Sequence, residues 1–316
     1  MTLFRKLFKM LPDNLKKGLK DSAYPFIERL HARIKNEGYL RESIKTSSEG
    51  LNLEHYQLPV LQRLIDLGGF NTLQGRRVCE IGGDGEFGIA RLWHRLTGER
   101  VVVSNPYPNT ALTDEALSQY GVSLVRLPFE SMTSASNAFD IIYGCAVMEH
   151  IVNMAEFFEC AFERLAPGGW AILHGCPLWH SAVGHHTYIL CDDTLYSFGD
   201  ENCPVRPFSH LYMTKDELRE ALVKRSVPQK HADAICSQIY DSDQINRLSI
   251  AQICSAAAKQ PWQEIRLVTD IDYTPHQQKD FINKLGIEVK DVQKGCNIYC
   301  RKKNLIIFNS KRRKAK

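Results

Sequence analysis

Residues 78–88, Val-Cys-Glu-Ile-Gly-Gly-Asp-Gly-Glu-Phe-Gly, limit what this chain can fold into more than any other stretch. Val78 to Ile81 have strand character. They run into a glycine-rich turn and then a helix reaching about Thr97, with Phe87, Ala90, Leu92, Trp93 and Leu96 as its apolar set. Gly82, Gly83 and Gly85 permit positive φ and leave no side chain between backbone and ligand. A helix opening behind such a turn points free N–H groups at a polar or anionic ligand. A lone glycine turn says little. This one follows a strand, precedes a helix and has an acid, Glu80, beside it.

The rest of the middle repeats that alternation. Residues 100–105, 122–127, 139–145 and 170–175 read as strands by their apolar runs, and residues 58–67, 113–120 and 154–165 as helices. Pro167-Gly168-Gly169 reads as the turn before the fifth strand. Strands alternating with helices at this pace predict an α/β fold with a parallel sheet and right-handed crossovers. Ligands in such sheets sit beyond the carboxyl ends of the strands, at the switch point.

Three separated blocks, in order, resemble the class I S-adenosylmethionine-dependent methyltransferases over residues 76 to 176. They are Glu80-Ile81-Gly82 with Gly85, then Phe139-Asp140-Ile141-Ile142-Tyr143 leading to Val147-Met148-Glu149-His150-Ile151, then Leu165-Ala166-Pro167-Gly168-Gly169. The resemblance implies a seven-stranded Rossmann-like methyltransferase sheet with helices on both faces, and S-adenosylmethionine as cofactor. It implies that Glu80, Gly82, Gly83 and Gly85 line the methionine end of the cofactor. Asn105 would hold the ribose, and Phe129 and Glu130 would meet the adenine, with Ser123 the competing polar contact. Cys145 and Ala146 would form the floor under the methyl group. The chain departs from the family pattern at Asp84, where Gly is usual, and at Asn105, where an acid usually grips the ribose hydroxyls. Asn can still donate and accept there.

Methyl transfer from a sulfonium is an in-line displacement, so the protein has mainly to align a nucleophile and remove its proton. Histidine suits that task near neutral pH. Histidines gather after the fourth and fifth strands, and we expect His185 or His186 as the base, with His150 as a third candidate and Glu149 as the group that orients an imidazole. Residues 176–188 resemble, more loosely, the substrate-side segment of methyltransferases acting on sugars and other small hydroxylated metabolites. Cys176, His180, His185, His186 and Cys191 are zinc-ligand types, but their spacing matches no zinc motif and no acids cluster for magnesium, so no metal is expected.

Residues 192–207 read as a loop long enough to be a lid. Thr214-Lys215-Asp216-Glu217 is a capping box opening a helix through Leu222, and helical patterns recur over 231–240 and 244–258. Residues 264–271 and 296–301 read as strands flanking a helix over 275–285, which suits the closing antiparallel hairpin of the resembled fold. The organisation expected is an N-terminal helical extension (1–57), a cofactor-binding core (58–176), a lid and helical insert between strands five and six (177–262), closing strands (263–308) and a basic tail (309–316).

Charge constrains the partners. The chain's formal +4 is made by its ends: six Lys/Arg against one Asp in residues 1–20, and eight with no acid in residues 301–316, leaving −9 for the rest. An acidic body argues against a nucleic-acid groove. The N-terminal twenty residues are amphipathic and basic, fitting either a covering helix or peripheral membrane contact. Ten scattered cysteines without a framework, and no secretory segment, fit reduced thiols in the cytoplasm. The expected function is O-methylation of a small hydroxylated acceptor, such as a saccharide or glycolipid precursor. The alternatives are RNA or protein methylation, and a non-catalytic binding or scaffold protein of the same fold. The oligomeric state is not legible.

Overall fold

The computed structural model describes residues 37–54, 57–66, 70, 72–83, 85–271 and 293–303. The amphipathic segment 1–20, Asp84, the helix expected over 275–285 and the tail 309–316 lie outside the described residues.

Every strand expected in the middle of the chain forms. In chain order they are β1 (Val78–Ile81), β2 (Val101–Ser104), β3 (Val122–Val125), β4 (Phe139–Gly144) and β5 (Leu165–Gly175), followed late in the chain by β8 (Glu264–Ile271) and β9 (Gln293–Arg301). They build one seven-stranded sheet in the order β3-β2-β1-β4-β5-β9-β8. β1 to β5 pair in parallel, and β9 runs antiparallel between β5 and β8. The chain builds outward from β1 to β3 and then crosses back to β4. The switch point therefore lies between the carboxyl ends of β1 and β4, where a ligand crevice forms.

The central strands β1, β4 and β5 are buried on both faces, which explains their continuous apolar runs. Val78, Ile141, Tyr143, Trp170, Ile172 and Tyr299 face one core, and Cys79, Ile142, Ala171, Leu173, Ile298 and Cys300 face the other. The alternation is the two-residue period of the pleat. The first core is covered by residues 37–48, which are helical, and by α1 (Gln57–Asp66), α2 (Gly88–Thr97) and α3 (Asp114–Gln119). The second is covered by α4 (Met154–Arg164) and α8 (Ile250–Ala257).

Local differences from the sequence reading have local causes. α2 starts at Gly88 because Phe87 sits at φ 53°, outside helical space. β5 begins at Leu165 and absorbs the Pro-Gly-Gly turn, with a register shift against Phe139 and Ile141. The expected loop 192–207 contains β7 (Thr194–Ser197), which pairs with β6 (Tyr188–Cys191) in a hairpin closed at Asp192, φ 49°. Its turn is Asp-Asp rather than the Asn-Gly or Asp-Gly that announces such a hairpin. The helix expected over 244–258 starts only at Ile250, opened by a capping box of Ser249 and Gln252. The Thr214–Glu217 box forms and opens α6 (Lys215–Lys224).

The segment between β5 and β8 carries the hairpin and α5 (Ser209–Tyr212), α6, α7 (Gln229–Tyr240) and α8. α6 and α7 share a core of their own with Val205, built on Leu218, Leu222, Ile235 and Ile239.

Candidate functional site

The loops at the switch point are sewn together by backbone and side chains. Gly82 N donates to Ser104 O at 2.9 Å, and Gly85 N to Asn109 O at 2.8 Å. Thr110 Oγ1 donates to Gly85 O at 2.6 Å. Gly82 stands at φ 81°, and a Cβ there would lie 3.1 Å from Val147 Cγ2, so the β1 and β4 loops meet at this residue. Gly83 stands at φ 87°, with the Glu80 carboxyl 3.2 Å from where its Cβ would be.

Glu80 is 4 % exposed, and its Oε2 has no hydrogen-bond partner. Burial pushes its carboxyl up to about 8. A buried, unpartnered carboxyl oxygen beside positive-φ glycines fits a ligand carrying a cationic amine, as S-adenosylmethionine does. The cradle therefore fits the cofactor that the sequence implies.

The other expected cofactor residues gather around the same crevice with different degrees of freedom. Asn105 turns its side chain to the protein: Nδ2 donates to Gly83 O at 2.7 Å, and Oδ1 accepts from Tyr107 N at 2.9 Å. Phe129 is 2 % exposed; its ring lies 5.2 Å from Phe157 with the Arg164 guanidinium 4.6 Å above it. The ring expected to stack on adenine is thus committed to the core. Arg164 also fixes this loop, donating to the carbonyls of Phe129, Glu130 (3.0 Å) and Met132 (2.8 Å). Glu130, half-buried, has its carboxyl raised by burial. Cys145 and Ala146 are half-buried at the end of β4. Ala146 takes φ 52°, and its N–H donates to His174 Nδ1 at 3.1 Å.

Beyond β4 and β5 opens a cavity of about 1090 Å³. Ala146 at its edge joins it to the cofactor crevice. Its walls include Glu149, His150, His174, His185 and His186, closed from the insert side by Tyr188, Phe198 and Gln244. All three histidines expected to act as bases line it.

Their hydrogen bonds assign tautomers, because a backbone N–H only donates and a carbonyl only accepts. His150 Nδ1 lies 2.9 Å from Gln244 O and must donate, which leaves Nε2 with the lone pair. His185 Nδ1 accepts from Thr187 N at 3.2 Å and lies 2.8 Å from Thr187 Oγ1, so the proton sits on Nε2, which is buried without a partner. His185 is therefore a hydrogen-bond donor in this arrangement rather than a base. His174 is a donor through Nε2 for the same reason.

Glu149 is 1 % exposed; Oε1 accepts from Cys176 N at 3.2 Å and lies 3.7 Å from His186 Nε2, while Oε2 is buried without a partner. The His150 and His186 rings meet edge to face at 5.4 Å. Burial raises the Glu149 carboxyl and, with a smaller contribution from the neighbouring His150, pushes His186 down to about 3. His185 is driven well below the usual imidazole range, again chiefly by burial. His186 and His185 are thus neutral at pH 7.

Three fixing residues escape sequence reading. Asn246 Nδ2 donates to Met148 O (2.8 Å) and Ile151 O (2.9 Å), and its N–H to Glu149 O (2.9 Å), so the insert brackets the turn that carries Glu149 and His150. Thr187 sets the His185 tautomer, and Arg164 holds the loop after β3. Only tertiary closure gives them these roles, so no local pattern marks them.

A family model described as a methyltransferase domain matches residues 53–176. No curated protein matches the sequence. Among solved structures, the chain is similar to phosphoethanolamine N-methyltransferase 2 of Haemonchus contortus in complex with S-adenosyl-L-methionine. The identity is 14%, the TM-score 0.46, and the match covers 78% of this chain and 53% of that one. This chain thus spans about half the length of that enzyme. It is similar too to an S-adenosylmethionine-dependent methyltransferase from Mesorhizobium loti, at 13% identity and TM-score 0.44 over 78% of this chain and 97% of that one. Geranyl diphosphate C-methyltransferase from Streptomyces coelicolor A3(2) gives 12% identity and TM-score 0.43 over 78% and 80%. Among the described residues no helix is long and apolar enough to cross a membrane. Residues 53–176, which hold the glycine turn and the exit from β4, are thus similar to a methyltransferase domain.

Proposed function

We propose that this chain methylates a hydroxyl of a small acceptor, with a saccharide or glycolipid precursor as the preferred class. The observation that carries the reading is the cavity beyond β4 and β5, where neutral imidazoles and a buried carboxyl share one wall. Neutral His185 and His186 beside a carboxyl whose ionisation burial disfavours suit an uncharged hydroxyl better than an ammonium, which would need an ionised partner. Bound S-adenosylmethionine supplies a methyl group already activated on its sulfonium.

The chain's own residues do the rest. Glu80, Gly82, Gly83 and Gly85 take the methionine end, with Glu80 Oε2 toward the ammonium. Asn105 shapes the turn against which the ribose lies. The 129–130 loop offers its backbone and Glu130 to the adenine, and Cys145 and Ala146 form the floor. The Glu149–His150–His186 cluster receives the acceptor hydroxyl and promotes loss of its proton. His185 holds a further acceptor oxygen through Nε2–H. Basic residues within 1–20 would dock the chain on an anionic membrane if the acceptor is lipid-linked.

Calorimetry with S-adenosylmethionine and S-adenosylhomocysteine tests the cofactor half. Saturable binding that Gly82→Arg abolishes is expected, because an arginine there is strained at φ 81° and meets Val147. Transfer of labelled methyl to sugars and glycolipids tests the acceptor half, with the product read as a methyl ether by mass spectrometry. His186→Ala should lower kcat/KM about 100-fold or more, the scale of an acid–base contribution. No binding of either cofactor form would overturn the proposal.

A further inference from the structure

We propose that Glu149, His150 and His186 form a binding site for one divalent first-row transition-metal ion that holds and acidifies the acceptor hydroxyl. The three side chains each bring one ligand atom to within 4.8 Å of the others. They come from two segments, the 3₁₀ turn Met148–His150 after β4 and the loop after β5, which no sequence motif joins. Ligands 2.0–2.2 Å from an ion stand roughly 3 Å apart, so the cluster closes by about 1–2 Å on binding.

Four features favour an ion over a plain hydrogen-bonded cluster. Glu149 Oε2 is buried with no hydrogen-bond partner, a costly state that a cation would relieve. His150 already donates its Nδ1 proton to Gln244 O, the outer contact that fixes a metal-bound imidazole with its other nitrogen bare. Asn246 brackets the backbone beneath two of the three ligands. The cluster lines the cavity, so three protein ligands leave open positions for an acceptor oxygen. Two imidazoles and one carboxylate select a transition ion over magnesium or calcium, which prefer oxygen ligands.

In the reaction proposed above, the ion would lower the hydroxyl's pKa so that its proton leaves to water in the cavity. The acceptor oxygen then forms the bond to the methyl carbon as the carbon–sulfur bond breaks, and that pair stays on sulfur. This role rests on the methyl-transfer reading; binding of the ion does not.

The test uses the full chain stripped with chelator and titrated with Mn²⁺, because Zn²⁺ would also take the chain's ten cysteines. Calorimetry and electron paramagnetic resonance should show one Mn²⁺ per chain and a raised melting temperature. His150→Ala and His186→Ala should each weaken binding about 100-fold or more, since loss of an outer contact alone costs 10–100-fold. Glu149→Gln should do the same, while His231→Ala, outside the cluster, should bind as the native chain does. Retained S-adenosylhomocysteine binding by the variants would show that they fold. Absence of saturable Mn²⁺ binding, or binding that survives both alanine variants, overturns the site. Undiminished methyl transfer in excess chelator overturns the ion's role and leaves the methyl-transfer reading intact. One Mn²⁺ bound by a chain that takes neither cofactor form overturns that reading and leaves the site.

Discussion

Glu80 keeps its proton in the folded chain to about pH 8, against an ordinary value of 4.5. Between those values the unfolded chain has released a proton that the folded chain still holds. The group's contribution to stability is therefore full at low pH and falls as pH rises through that window. Urea melts of Glu80→Gln should lack this loss, so the variant should gain on the native chain between pH 5 and pH 8.5. If the carboxyl meets a cationic amine, S-adenosylmethionine binding at pH 6.5 should release a proton, seen by calorimetry in buffers of different ionisation enthalpy. Glu80→Gln should release none. Glu80 and its glycines were legible because strand, acid and turn are contiguous. The Asn246 bracket was not, since it joins the insert to a turn that precedes β5. Asn105 shows the same limit: its place after β2 can be read, but its hydrogen bond to Gly83 O appears only when the two loops meet.

The loop after β5 folds back so tightly that a Cβ on Gly184 would lie 2.2 Å from Trp179 O and 2.3 Å from Leu178 O. Gly184→Ala must open that turn, at a cost of about 1–3 kcal/mol, and shift His185 and His186 with it. We expect the variant to bind S-adenosylhomocysteine as the native chain does while losing acceptor turnover, which separates the two halves of the site. His186 stands at φ 47° in the same loop, a conformation that only tertiary packing holds. Parallel strands were readable because burial on both faces makes them continuous apolar runs. The β6–β7 hairpin was not, because its exposed Tyr188, Leu190 and Leu195 blur the apolar-in, polar-out alternation and its turn has no glycine.

At the scale of the whole molecule, the sheet carries one core on each face and the insert carries a third between α6 and α7. Ile235 is fully buried in that third core. Ile235→Ala should cost about 2–5 kcal/mol. We expect calorimetric unfolding to gain an early transition for the insert while cofactor binding holds, because this cluster shares no residue with the loops at the switch point. The sheet order itself carries a last consequence. β5 ends at Gly175, and the strand that covers its free side, β9, starts only at Gln293. A ribosome releasing this chain residue by residue exposes the β5 edge long before its partner emerges. An open edge in a parallel sheet invites pairing with other chains. Nascent chains halted just after β8 should therefore lean on chaperones more than chains released after β9, and they mark the moment in synthesis when this protein is most prone to aggregate.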